Sequence, residues 1–216
     1  MEKNTSSLVR LYLEEKSRII TSFPVEEASK AIDRVLQAYT EHGTVFACGN
    51  GGNAAFVANF ICDLALHPYV SDDKSKPVPE EVYRMRCVSL ADSPSVLTGI
   101  LNDFGSEYIF SQQLIGRIGP HDVLFGFSGS GNSGNILKAF EVAKKVGATC
   151  IGITRGDGGK SKSAADICII IPGTSKFPGQ TGKNDNNFHF EDYLSSIPHM
   201  IAGILQSHVR SLYDIN

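Results

Sequence analysis

The sequence predicts an α/β fold: a doubly wound, parallel, five-stranded sheet flanked by helices. Three observations predict it. Short apolar runs recur along the 216 residues, helix-compatible stretches separate most of them, and two runs pass straight into loops rich in glycine, serine and asparagine. Strands that alternate with helices form parallel sheets, because parallel neighbours need a crossover connection and a helix supplies it. Single cores usually stop growing near ~250 residues, so one domain is expected over residues 1–216.

Taken in order, Leu8 to Ile20 and Val25 to Thr40 carry apolar side chains at three- and four-residue spacings, which predicts two amphipathic helices within about residues 5–42. Phe23-Pro24 separates them. The run Thr44-Val45-Phe46-Ala47-Cys48 reads as a strand, Gly49 to Asn53 as a tight loop, and the stretch to Leu66 as a helix. His67 to Glu81 is polar and contains Pro68, Pro77 and Pro79, so it reads as an exposed loop placed to shape access to a site. Further strands are expected at Met85–Leu90, Asp122–Phe127, Thr149–Thr154 and Ile167–Ile171. Near the end, Phe190, Leu194, Ile197, Ile201, Leu205 and Leu212 fall near helical period, predicting one long helix over about 188–213. Pro198 should bend it and free the carbonyl of Leu194.

Composition narrows the function. Hydrophobic residues make up 42% and charged residues 20% of the chain, as in ordinary globular proteins. Lys and Arg number 20 against 23 Asp and Glu, a formal net charge of -3, with no dense basic run to bind nucleic acid. The cysteines Cys48, Cys62, Cys87, Cys150 and Cys168 are odd in number, lie mostly in apolar runs and lack C-x-x-C spacing, so they read as reduced core residues. No uninterrupted apolar segment follows the N-terminus and none elsewhere is long enough to span a bilayer. A cytoplasmic location without a membrane partner is expected.

Two loops carry the chemistry. Gly49-Asn50-Gly51-Gly52-Asn53-Ala54 satisfies the loose G-x-G-x-x-A dinucleotide pattern. That reading needs an acid about 20 positions on, at the end of the next strand. The corresponding region is the polar loop around Asp72 and Asp73, so no nucleotide cofactor is expected. The second loop, Ser128-Gly129-Ser130-Gly131-Asn132-Ser133, follows an apolar run and precedes a helix starting near Asn135. Hydroxyls and unhindered N–H groups at the positive end of a helix cradle a dianionic phosphate. The plain alternative is a turn that caps a helix, and repetition of this chemistry in the first loop favours a ligand. Asp63, with Asn59 one turn before it, lies on the helix that leaves the first loop. It reads either as a partly buried carboxylate suited to act as a base or as an ordinary solvated acid. Asn102-Asp103, Glu191, Asp192 and His199 are further polar residues within apolar stretches. His199 by itself reads more readily as a satisfied core histidine.

Together Cys48-Gly-Asn-Gly-Gly52, Asn102-Asp103-Phe104-Gly105, Ser128-Gly-Ser-Gly-Asn-Ser133 and the late His199 resemble the sedoheptulose 7-phosphate isomerases of the sugar isomerase (SIS) family. The resemblance spans nearly the whole chain. It implies a flavodoxin- or Rossmann-like fold and homotetramers with active sites between subunits. It also implies interconversion of a ketose phosphate and an aldose phosphate. By the same resemblance Asn50, Gly51, Gly52, Asn53, Asn102, Asp103, Ser128, Gly129, Ser130, Ser133 and Glu191 contact the sugar phosphate. Asp63 falls on the family's catalytic glutamate and His199 on its catalytic histidine. Some members hold a zinc ion, and its ligands correspond to Asn59, Asp63, Glu191 and His199. On one straight helix Glu191 and His199 would stand ~12 Å apart, so a shared ion needs a second subunit or a break near Pro198. The chain departs from the family pattern at four places: Asp63 is one methylene shorter than glutamate, His67 stands where an arginine is common, Gly129 lacks a hydroxyl, and the loop after His67 is long. A noncatalytic sugar-phosphate or protein binder, and a phosphosugar lyase, are the alternative functions.

Overall fold

The computed structural model describes residues 4–71, 78–180 and 185–214. Helices α1 (Thr5–Ile20) and α2 (Val25–Thr40) lead into β1 (Thr44–Gly49) and α3 (Gly52–Leu66), then β2 (Arg86–Ser89) and α4 (Pro94–Asp103). The short α5 (Ser111–Leu114) precedes β3 (Val123–Phe127), α6 (Gly134–Lys145), β4 (Thr149–Arg155), the single turn α7 (Ser161–Ala164) and β5 (Ile167–Ile171). The chain ends in α8 (Asn187–Leu194) and α9 (Ser196–Tyr213).

All five strands pair in parallel, in the order β2-β1-β3-β4-β5. This is the flavodoxin-like arrangement, in which strand order reverses about β1 and β3. Helices cover both faces, so the central strands are buried on both sides and read as unbroken apolar runs. The faces alternate along each strand. Val45, Ala47, Phe125, Phe127, Ile151 and Ile153 face the core built with α2, α3, α8 and α9. Phe46, Cys48, Leu124 and Cys150 face the smaller core under α6. Phe60 of α3 packs on the rings of Phe125 and Phe127, at centroid distances of 4.8 and 5.3 Å.

Two expectations need correction, and a third holds: the C-terminal helix is interrupted for one residue, Ser195, which keeps helical dihedrals (φ -65°, ψ -22°), at the turn where Pro198 has no N–H to give the Leu194 carbonyl. Pro198 is the third residue of α9, within the first turn, where N–H groups have no intrahelical acceptor and a missing donor costs little. The segment after His67 is not wholly exposed: Pro68, Tyr69 and Val78 are buried, the Met85 N–H donates to the Tyr69 hydroxyl at 2.7 Å, and Gln206 Nε2 donates to the Val70 carbonyl at 2.8 Å. Asp72 and Asp73 lie outside the described residues. Cys62, expected in the core, is exposed, whereas Cys48 and Cys150 are buried.

A buried polar network ties α1 to the segment after β5. Glu15 accepts hydrogen bonds from the Ser175 hydroxyl and the Lys176 N–H and meets His189 Nε2 at 3.2 Å. Burial raises its carboxyl, but these three partners together outweigh it and hold the group below its ordinary range. The network anchors the approach to α8, which the site uses. No helix among the described residues is long and apolar enough to cross a membrane.

Candidate active site

The chain leaves β1 for one face of the sheet through α3 and leaves β3 for the other through α6. A crevice therefore opens between the carboxyl ends of β1 and β3, where ligands bind in open parallel sheets. Both glycine-bearing loops end there.

The loop after β3 is built to expose donors. The Ser128 N–H is spent on the Ile153 carbonyl at 3.0 Å and the Gly131 N–H on the Ser128 carbonyl at 2.9 Å. The N–H groups of Gly129, Ser130, Ser133 and Gly134 have no acceptor among the described residues. Ser133 is the N-cap of α6, yet its hydroxyl caps nothing and instead meets the Ser128 hydroxyl at 2.9 Å. Free amides, two paired hydroxyls and a helix N-terminus make an anion cradle. The cradle is fixed from behind by the turn after β4. The Ser161 N–H and hydroxyl both donate to the Gly131 carbonyl at 2.9 Å, and the Lys160 N–H donates to Asn132 Oδ1 at 3.1 Å. This close approach needs glycine at 131, whose φ is +64° and whose added Cβ would stand 2.0 Å from the Gly158 carbonyl oxygen.

The loop after β1 turns through Gly51, with φ 55° and ψ -123°, a conformation open to glycine. Asn50 exchanges two amide hydrogen bonds with Asn135 in the first turn of α6, at 3.0 and 2.9 Å, so the two loops are clamped together. Asn53 keeps its Oδ1 buried without a hydrogen-bond partner. Beside this loop a cavity of about 230 Å³ lies between Gly49, Asn50, Gly51, Leu97, Leu101 and Phe110. Glu191 projects from α8 against Gly52, with Oε1 3.4 Å from the position of an added Cβ, and accepts a hydrogen bond from Asn187 Nδ2 at 3.0 Å. An added Cβ at Gly129 would stand 3.1 Å from Asn187 Oδ1, a side-chain atom that would have to give by a few tenths of an ångström, and in ordinary contact with Arg155 Nε at 3.5 Å. Asn102 and Asp103, at the end of α4, are exposed and bond to each other at 2.8 Å rather than to either loop.

Asp63 and His199 do meet. His199 Nε2 stands 3.5 Å from Asp63 Oδ2, His67 Nε2 stands 3.8 Å from Oδ1, and Asn59 Nδ2 donates to Oδ2 at 3.0 Å. The carboxylate is buried while both imidazoles are largely exposed. Helix α9 carries His199 to α3, whereas Glu191 lies on α8.

Within one chain, however, this pair is remote from the cradle. Gly52 and Asp63 are eleven residues apart on α3, about 16 Å of helical rise. Glu191, against Gly52, therefore does not join Asn59, Asp63 and His199 around one ion. Among the described residues no group of three or more His, Cys, Asp or Glu is placed to hold a metal. The zinc set expected from the resemblance does not fit a single chain, and an ion held by all four residues needs a second copy to supply Glu191.

Reading the sequence alone missed Asn135 and Asn187. Each lies in the first turn of a helix that opens at the crevice, directly after a run of small or polar residues, and that position is the only local signal. His67, a departure from the family pattern in sequence, is a neighbour of Asp63 in the fold.

Comparison with known proteins places these features in a family. The model of the SIS domain matches residues 12–155. The phosphoheptose isomerase of Helicobacter hepaticus is 34% identical over 172 residues, covering 80% of this chain and 82% of its own. That of Rhodospirillum rubrum is 37% identical over 150 residues, covering 69% and 73%. The solved structure of the phosphoheptose isomerase from Neisseria gonorrhoeae aligns with a TM-score of 0.76 at 25% identity, covering 94% of this chain and all of that one.

Proposed function

This chain belongs to the SIS domain family and is a sugar-phosphate isomerase, and from that premise we propose that it interconverts sedoheptulose 7-phosphate and an aldoheptose 7-phosphate. The observation that carries the chemistry is the pairing of buried Asp63 with His199 at 3.5 Å. The Asp63 carboxylate takes the proton from C1 of the ketose, and the C1–C2 enediol forms. The same group returns a proton to C2, while the His199 imidazole takes the O1 proton and delivers one to O2. Electrons stay within the substrate, so the step needs no redox partner. The phosphate, held by the Ser128–Ser133 loop, supplies binding energy that orients the reacting carbons.

We infer that a second copy of the chain completes the site. Three backbone bonds cover about 3.6 Å when extended, so the eight bonds from C1 to the phosphorus of a heptose 7-phosphate span about 10 Å, short of the length of α3 between cradle and base. The surfaces support this reading. Helix α3 is apolar on nearly all sides but buries only Val57, Phe60, Asp63 and Leu64. Helix α4 buries none of its residues and leaves Val96 and Leu101 exposed. A helix that is apolar all round belongs in an interior, and a neighbouring copy supplies one. A homotetramer, as the family resemblance implies, satisfies both helices. Free cysteines at all five positions accord with a cytoplasmic enzyme.

Incubation with ketose phosphates in deuterated water tests the reaction. Deuterium is expected at C2 of the aldose and, on reversal, at C1 of the ketose, with product mass otherwise unchanged. Absence of exchange with every sugar phosphate tried would defeat the isomerase reading, and loss of a substituent from C3 would indicate a lyase.

A further inference from the structure

The loop from Ser128 to Ser133 offers amides and hydroxyls but no cation. We propose that Arg155, at the carboxyl end of β4, is the phosphate-binding cation of this site and sets its preference for a dianion. The inference rests on the phosphate-binding reading of the Ser128–Ser133 loop and adds to it a residue outside that loop.

Four observations place Arg155 there. Its backbone N–H donates to the Gly129 carbonyl at 3.1 Å, which locks the end of β4 to the loop. Its side chain is 7% exposed and passes on the Cβ side of Gly129, with Nε 3.5 Å from the position an added Cβ would take. Nε donates to Asn187 Oδ1 at 3.4 Å, and Nη1 meets Asp185 Oδ1 at 3.3 Å and Asn186 Oδ1 at 3.4 Å. Asn187 in turn donates to Glu191. The guanidinium is thus held beside the donor-rich loop by the segment that opens α8.

A buried charge is costly unless partners repay it. Of the partners named above two are neutral amides, and the carboxylate of Asp185 is itself 37% exposed and so partly screened by water. A fixed positive potential next to free amide donors attracts a doubly charged oxyanion over a neutral hydroxyl or a monoanion. A guanidinium makes charge-assisted interactions with an oxyanion, which are stronger than the neutral hydrogen bond a hydroxyl offers.

Inorganic phosphate is the probe, with affinity measured calorimetrically on the full-length protein and as competitive inhibition of isomerisation. Arg155→Met is expected to weaken phosphate binding about 30-fold, with Arg155→Lys between it and the unaltered protein. Asp185→Asn, at a half-exposed position, is expected to tighten binding by about 3-fold, because it removes a competing anion from the guanidinium. A purely structural Arg155 predicts the opposite for Asp185→Asn: unchanged or weaker binding, as one of its anchors is lost. Equal phosphate affinity in Arg155→Met and the unaltered protein overturns the inference while leaving the phosphate site standing. Failure of the unaltered protein to bind phosphate overturns both. If Arg155→Met does not fold, the sign of the Asp185→Asn effect decides.

Discussion

Asp63→Asn lowers kcat by about 10³-fold and leaves KM for the sugar phosphate within a few fold. The expectation follows from what the substitution changes and what it keeps. Asparagine preserves the shape of the side chain, so the packing beneath α3 and the contact with Asn59 survive. What disappears is the ability to hold a proton between C1 and C2, and a positioned acid–base group is worth about 10² to 10⁴ in rate. Phosphate contacts lie at the other end of the substrate and are untouched, which is why KM moves little. Steady-state kinetics on purified variant checks it, with solvent deuterium exchange as the more direct readout. An equal loss in kcat and in phosphate affinity would point to a structural role for Asp63.

Gly131→Ala raises KM by about 100-fold and lowers the melting temperature by several degrees. Alanine at φ +64° adopts a left-handed conformation that costs about 1 kcal/mol or more. Its Cβ would also stand 2.0 Å from the Gly158 oxygen and 2.6 Å from the Gly158 carbon. Both obstacles are backbone, so no side-chain rotation relieves them, and the loop has to lift off the turn after β4. Lifting breaks the bonds from Ser161 to the Gly131 carbonyl and disperses the donors that face the phosphate. Calorimetry with inorganic phosphate and a thermal melt on the same preparation measure the two effects together. A variant that binds phosphate normally would show that the loop does not depend on this contact.

How far these features can be read from the chain depends on the range of the interaction that creates them. The central strands are legible because burial on both faces demands apolar runs, and all five strands appear within a residue or two of the expected positions. The loops are legible because a glycine turn and a hydroxyl cradle are local devices. The interruption of the C-terminal helix is legible for the same local reason, since Pro198 has no N–H for the Leu194 carbonyl. The Asp63–His199 pair was available only through family resemblance, because its members come from α3 and α9 and meet by tertiary packing. Resemblance also grouped Glu191 with them, and the length of α3 separates it from them within one chain. Asn135, Asn187 and Arg155 carry no signal of their own: an asparagine in a first turn, or an arginine ending a strand, becomes meaningful when another loop is packed against it.

In the proposed assembly one chain supplies the phosphate cradle and another supplies Asp63 with His199, which is tested by co-expressing two inactive variants, Asp63→Asn and Ser130→Asp, the second placing a carboxylate at an exposed position of the cradle. Shared sites predict that mixed oligomers regain activity, because in random assembly about a quarter of the sites pair an intact cradle with an intact base. Mixed oligomers that form but stay as inactive as either parent would contradict the claim and return the whole reaction to a single chain.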